Sequence, residues 1–380
     1  MKIWHIYARN YNFGDHALGL AVRDLFRQEF GPKVIFETID THQAWFGLKD
    51  VLLFNNDADM LLIGGGGLIH AFNGKTWMLH FPCIWLKFLS CPLVIFSVGH
   101  NQFTIDGRLP KNVVRNLIAV KKKALSFTIR NDKSKELMAN EGFDLQEIPD
   151  PGFFLDRNYP RPSISNRYII VQLTGDASQA RGLNDNAIWR EIVVAIDALV
   201  AQGFSIAFCP HVKGDIKVTE DVISSLKSRE SVYVWDYYKS ISDDYISECL
   251  AYYKHAELVI AMRGHAQIIP YGMKIPFVTI SNHRKHKDLA EVLGLGDYVY
   301  DVTSKEAKGT LQKIIALALF HKNEIMNQQE KGMEIMHETM REFFKTLHND
   351  YVLNKKVKTH SFLYKLLART SNLITNMLYK

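Results

Sequence analysis

The densest group of reactive side chains in this 380-residue sequence is Arg263-Gly-His265, directly behind the apolar run Leu258–Ala261. An arginine and a histidine two positions apart at a helix start combine a fork-shaped cation, a titratable proton carrier and a helix N-terminus. That set suits phosphate or carboxylate. The plainer alternative pairs Arg263 with a structural acid. Lys285 follows the next apolar strand and can add a second cation. A related group, Cys209-Pro-His211-Val-Lys213-Gly-Asp215, also follows an apolar run. There His211 and Lys213 are expected on one face of an extended loop, with Asp215 able to orient either, although a loop histidine is commonly structural.

The first half offers its own set. In Asn12-Phe-Gly14-Asp15, Gly14 allows close backbone approach, and Asp15 either caps the following helix or acts as a base. Gly64, Gly65, Gly66 and Gly67 follow Met60–Ile63 and match neither a dinucleotide fingerprint nor a Walker A loop. Four consecutive glycines point to close approach by a ligand or by the opposite domain. Arg130, ending an apolar run, can reach across a cleft or sit solvated at a strand end.

These residues share one kind of position, the carboxyl end of a predicted strand, where ligands gather in open parallel sheets. Strands are predicted at Lys2–Tyr7, Val34–Thr38, Met60–Ile63, Pro92–Ser97, Ala124–Ile129 and Gln146–Ile148. Helices are predicted between them at Asp15–Phe30, Thr76–Leu89, Pro110–Lys121 and Asp132–Glu141. A polar segment with two prolines, 154–167, separates this half from a second alternation. That alternation has strands at Tyr168–Leu173, Ser205–Cys209, Val232–Trp235, Leu258–Ala261 and Phe277–Ile280, with helices at Asn186–Ala201, Glu220–Arg229 and Asp243–Lys254. The pattern predicts an α/β class built of two parallel-sheet halves, with a ligand cleft between them.

Composition narrows the partners. Residues 351–380 hold six Lys and Arg and no acid, while the other 350 residues hold 40 basic and 40 acidic side chains. No large basic field covers the body, which disfavours nucleic acid. The tail 355–380 places Phe362, Leu363, Leu366, Leu367, Leu373, Ile374, Met377 and Leu378 largely on one helical face, with Lys365, Arg369 and Lys380 outside it. It reads either as a basic amphipathic helix for an anionic membrane or as a helix packed back on the first domain. Cys83, Cys91, Cys209 and Cys249 are widely spaced, as in a reduced protein. With no signal-like apolar run before Arg9 and no run of about 18 apolar residues, a cytoplasmic location is expected.

Taken together, these residues resemble the polysaccharide pyruvyl transferase family. The matching features are Asn12-Phe-Gly-Asp15, Gly64–Gly67, Arg130 followed by Asp132 and Ser134, Asp150-Pro151, the Arg263/His265 pair, and Lys285 ahead of Leu293-Gly-Leu295. The resemblance covers roughly residues 1–300. It implies a glycosyltransferase-B-like fold of two facing Rossmann-like domains. The boundaries expected are 1–157 on the acceptor side, 158–320 on the donor side, and a helical region at 321–380. It also implies transfer of pyruvate from phosphoenolpyruvate to hydroxyls of a cell-surface glycan or lipid-linked saccharide, closing a ketal. In that chemistry Arg263, Lys285, Arg130 and Lys213 hold the donor, and His265, Asp15 and His211 move protons. Phosphoenolpyruvate is then a co-substrate, and no metal or other cofactor is expected. Where relatives often show Gly-Gln-Gly, this chain has Gly99-His100-Asn101-Gln102, and Asn282 stands where many have Tyr. Asn12, His100 and Gln102 are expected on the acceptor side. Rival readings are a nucleotide-sugar glycosyltransferase of the same fold and a non-catalytic glycan-binding relative.

Overall fold

The computed structural model describes residues 1–43, 46–71, 77, 81–101, 108–164, 167–175 and 186–360. Gln102 and the apolar stripe at 362–378 lie outside the described residues. The chain divides into two compact units. One comprises Met1–Arg9, Leu18–Pro151 and the chain from Met336 onward, and the other Asn10–Ala17 and Gly152–Ile335. The division falls at Pro151/Gly152 rather than at 157, and the C-terminal helix is divided between the units instead of forming a separate region.

The first unit alternates β1 (Lys2–Tyr7), α1 (Phe13–Phe30), β2 (Ile35–Asp40), α2 (Leu48–Asp57), β3 (Met60–Ile69), α3 (Cys83–Leu86), β4 (Leu93–His100), α4 (Lys111–Lys123), β5 (Ser126–Arg130), α5 (Ser134–Asn140) and β6 (Gln146–Ile148). The first turn of α1 groups with the second unit. The sheet order is β2-β1-β3-β4-β5-β6. All its strand pairs are parallel. Every residue of β4 is buried, as a central parallel strand covered on both faces requires. Two expectations change here. Helix α2 forms although no helix was predicted between the strands at Val34–Thr38 and Met60–Ile63, with the Asp50 carboxylate accepting the Gly47 N–H at 2.8 Å and Val51 and Phe54 facing inward. The glycines, expected in a loop after Ile63, instead continue β3 to Ile69.

The reason lies in backbone crowding within this unit. A Cβ on Gly64 would sit 2.1 Å from the Phe96 carbonyl of β4, and one on Gly65 would sit 2.5 Å from the Leu18 side chain. Gly64 and Gly66 also adopt φ of +127° and +99°. Asn101 crowds Gly67 in the same way, at 3.0 Å. The close approach is thus made by the unit's own strand and helix.

The second unit contains β7 (Tyr168–Gln172), α6 (Asn186–Ala201), β8 (Ser205–Phe208), α7 (Lys213–Ser225), β9 (Val232–Val234), α8 (Tyr237–Ser240), α9 (Ile246–Lys254), β10 (Leu258–Ala261), α10 (His265–Gly272), β11 (Phe277–Ser281), α11 (Arg284–Val292), β12 (Val299–Asp301), α12 (Leu311–Phe320) and the start of α13 (Lys322–His360). Its parallel sheet runs β12-β11-β10-β7-β8-β9. Strand order reverses between β7 and β10, the point at which open α/β sheets bind ligands. The later part of α13 packs in the first unit, where Phe344 and Phe343 meet the rings of Phe26 and Phe96 at 5.2 and 5.4 Å. Among the described residues, no helix is long and apolar enough to cross a membrane.

His5 shows what burial costs in the first core. Fully buried, it donates through Nε2 to the Gly64 carbonyl and stacks on Tyr7 at 4.5 Å. Burial pushes its pKa from 6.5 down to about 3. The unfolded chain therefore takes up this proton first. The stability contribution is complete above pH 6.5 and falls by roughly 1.4 kcal/mol per pH unit as the pH drops toward 3. Urea unfolding at pH 7 and pH 5 should show that loss, and His5→Gln should flatten the dependence. Equal slopes in the two proteins would remove His5 as a cause.

Candidate active site

The second unit assembles a cluster at the carboxyl ends of β7, β8 and β10. Helix α1 begins at Phe13, so Asn12 rather than Asp15 is its cap: the Asn12 Oδ1 accepts the Gly14 N–H at 2.8 Å. Asp15, freed from capping, projects from the first turn. Its Oδ1 lies 3.8 Å from His265 Nδ1. His265 opens α10, is 9% exposed, and has a buried Nε2 with no hydrogen-bond partner among the described residues. A carboxylate beside Nδ1 favours the tautomer that carries its proton there, leaving Nε2 to exchange a proton with a ligand. Gly14 is needed for this packing. A Cβ there would sit 2.3 Å from His265 Nδ1.

Gly14→Ala is accordingly expected to displace the His265 ring. Turnover should fall about a hundredfold through misplacement of a reacting group. Unfolding free energy should fall by only about 1–3 kcal/mol, the usual cost of overpacking. Unchanged turnover would show that the ring position is unimportant.

Arg263 is held side-on. Its Nε and Nη2 donate to Asp215 Oδ2 and Oδ1 at 2.9 and 2.6 Å. Asp215, fully buried at the third position of α7, also accepts the N–H groups of His211, Val212 and Gly175 at 3.0, 3.1 and 3.0 Å, and Gln172 Nε2 at 3.3 Å. The carboxylate therefore joins the ends of β7 and β8 and the start of α7 to the residue that follows β10. This changes the expected part of Arg263. One edge of its fork is committed to Asp215, and Nη1 lies on the edge turned away from that carboxylate.

His211 differs from its expected role as a base. It is fully buried, with Nε2 2.8 Å from the Tyr253 hydroxyl. Its ring packs edge-on to Phe13 at 4.9 Å and lies parallel to Trp235 at 6.0 Å. Burial, with the Arg263 charge nearby, holds its pKa well below 6.5, so the ring is neutral. It supports the start of α1, its carbonyl accepting the Phe13 N–H at 2.8 Å. Lys213 shares no extended loop face with His211, because it is the exposed first residue of α7. Lys285 is the second residue of α11, and its N–H donates to His283 Nδ1 at 3.2 Å. Since β11 adjoins β10, Lys285 and Arg263 follow neighbouring strand ends.

The remaining candidates belong to the first unit. Arg130 does not sit solvated at a strand end. Its Nε donates to Asp132 Oδ2 at 2.7 Å and its Nη1 to Asp150 Oδ2 at 3.2 Å, all three side chains being nearly buried. Gly99 makes room for that guanidinium, whose Nε a Cβ would meet at 2.2 Å. His100 is fully buried, its N–H donating to Ser134 Oγ at 2.8 Å, so it presents no face to a sugar. Sequence reading singled out Asp215 only as an orienting acid for His211 or Lys213. An acid three positions into a helix was the available signal for its larger role.

Comparison with known proteins agrees with this architecture. A putative UDP-N-acetylglucosamine 2-epimerase from Listeria monocytogenes superposes with a TM-score of 0.54 at 14% identity, covering 87% of this chain and 90% of that one. A trehalose-6-phosphate synthase gives 0.52 at 9% identity, covering 92% and 99%. The UDP-GlcNAc 2-epimerase from Neisseria meningitidis gives 0.50 at 11% identity, covering 89% and 100%. At these identities the likeness establishes a glycosyltransferase-B-type fold. No curated protein matches the chain. The model of the polysaccharide pyruvyl transferase family matches residues 12–284, a span that runs from the cap of α1 to the start of α11. The chain belongs to the polysaccharide pyruvyl transferase family and is a glycan-modifying transferase.

Proposed function

We propose that this transferase moves pyruvate from phosphoenolpyruvate to two hydroxyls of a sugar, closing a ketal on a cell-surface glycan or its lipid-linked precursor. The observation that carries this reading is His265, backed by Asp15 at Nδ1 and presenting a buried Nε2 beside Arg263 at the start of α10.

The chemistry asks for one proton carrier and several cations. Phosphoenolpyruvate becomes electrophilic at C2 when C3 takes a proton. A sugar hydroxyl then adds at C2, phosphate leaves, and a second hydroxyl closes the ring, so two hydroxyls and one phosphoenolpyruvate give one ketal and one phosphate. His265 Nε2 is assigned the proton transfer, either to C3 or to the departing phosphate. Asp15 orients the His265 ring through its place beside Nδ1 rather than acting as a base. The Nη1 edge of Arg263, the Lys285 ammonium and the N–H groups opening α10 bind the phosphate and carboxylate. The scheme balances with phosphoenolpyruvate as co-substrate alone, a metabolite that places the reaction on the cytoplasmic side.

Thermal melts test the donor. Millimolar phosphoenolpyruvate should raise Tm by a few degrees, since a ligand at 100 times its Kd stabilises the native state by about 2.7 kcal/mol. UDP-N-acetylglucosamine should leave Tm unchanged. The opposite pattern would favour a nucleotide-sugar glycosyltransferase.

A further inference from the structure

We propose that the α3–α4 face of the first unit docks on a bilayer rich in anionic phospholipid. This surface is distinct from the basic tail and from the candidate active site.

Charge is the first observation. Residues 81–101 and 108–129 contain no Asp or Glu, yet they hold seven Lys and Arg. On α4 an outward stripe of Lys111, Arg115, Ile118 and Lys122 is exposed, opposite the buried Val113, Leu117 and Val120. Spacings of four, three and four residues keep that stripe on one side of the helix. Lys87 is exposed on the neighbouring segment after α3. Glu141 accepts the Leu109 N–H at 2.9 Å, and the Asp144 backbone carbonyl accepts from Lys121 Nζ at 2.7 Å.

The second observation is protruding apolar surface among those cations. Ile84 is 57% exposed, Phe88 55% and Ile118 41%. The half-buried Trp85 lies beside Phe88, their rings 6.2 Å apart. Asn116 of α4 ties the two elements together, with Nδ2 donating to the Phe81 carbonyl at 2.7 Å and Oδ1 accepting from Trp77 Nε1 at 2.8 Å. Exposed large apolar side chains on elements that also carry exposed cations match the interfacial layer of an anionic membrane, where rings and branched chains enter the acyl boundary and ammonium groups stay with the phosphates. A soluble polyanion would satisfy the cations but leave Ile84 and Phe88 in water.

The test is co-sedimentation of the full chain with vesicles of phosphatidylcholine alone or with 30 mol% phosphatidylglycerol added. Binding is expected to the anionic vesicles, weakening with salt, and not to phosphatidylcholine alone. Lys111→Ala/Arg115→Ala/Lys122→Ala should weaken partitioning about a hundredfold. Ile84→Glu/Phe88→Glu should weaken it at least about tenfold, because apolar burial is lost as well as charge balance. Both variants change exposed side chains, and melting curves verify that they remain folded. If anionic vesicles fail to bind the wild-type chain at low salt, or bind both folded variants as they bind wild type, this face is not a docking surface. If only the charge variant weakens, the contact is with polyanions in general and the bilayer proposal fails.

Discussion

His265→Gln is expected to lower turnover by about 10²–10⁴-fold, the usual contribution of a positioned general acid, while changing the Kd for phosphoenolpyruvate only a few fold. The separation follows from the geometry. Donor binding is distributed over Arg263, Lys285 and the α10 N-terminus, whereas proton movement converges on His265 Nε2, which has no hydrogen-bond partner among the described residues. Asp15→Asn should reproduce part of this loss, since it removes the carboxylate 3.8 Å from Nδ1 without removing the ring. Pre-steady-state phosphate release and equilibrium titration of donor read the two quantities separately. Loss of affinity equal to loss of turnover would make His265 an anion ligand rather than a proton carrier.

The largest expected effect on stability comes from Asp215→Ala, at about 3–5 kcal/mol, the range for breaking a buried ion pair by removing one partner. The variant strands the Arg263 guanidinium, whose side chain is 12% exposed, and leaves three backbone N–H groups without their acceptor. Asp215→Ala/Arg263→Ala should therefore cost less than the two single variants added together, because the stranded charge is gone. Urea denaturation of the four proteins measures that coupling. A single-variant cost below about 1 kcal/mol would show that the pair contributes nothing net, as exposed pairs commonly do.

Much of this framework was legible in the sequence because parallel strands covered on both faces are written in Ile, Val, Leu and Phe. The predicted bounds of β1, β6, β10 and α6 coincide with those observed. The glycine run was not legible as strand. Glycine has low β-propensity, and only the Phe96 carbonyl 2.1 Å from a Gly64 Cβ position explains why it is there. Helix α7 begins at Lys213 rather than Glu220 because Asp215 caps its first turn by accepting the Val212 N–H, a local signal that Gly214 masks.

The candidate site divides the same way. Arg263 and His265 were identifiable from their place after an apolar strand, and their association with Asp15, some 250 positions away in the chain, needed the fold. As a candidate reactive loop residue, His211 ranks below the Arg263/His265 pair. Its neighbours Phe13, Trp235 and Tyr253 come from distant segments, and their packing turns it into a buried support. Arg130 depends on the fold for a related reason: Asp132 is local and visible, but Asp150, just after β6, joins it only in three dimensions.

The central claim, pyruvyl transfer from phosphoenolpyruvate, is tested most directly by incubating the protein with carbon-labelled phosphoenolpyruvate and a panel of saccharides. Phosphate and label incorporated into saccharide are then measured in the same reaction. Phosphate released and label bound as an acid-labile ketal should be equal, and both should fall by about 10²–10⁴-fold in His265→Gln. Transfer of a glycosyl group from a UDP-sugar, with no label incorporated from phosphoenolpyruvate on any saccharide, would contradict it.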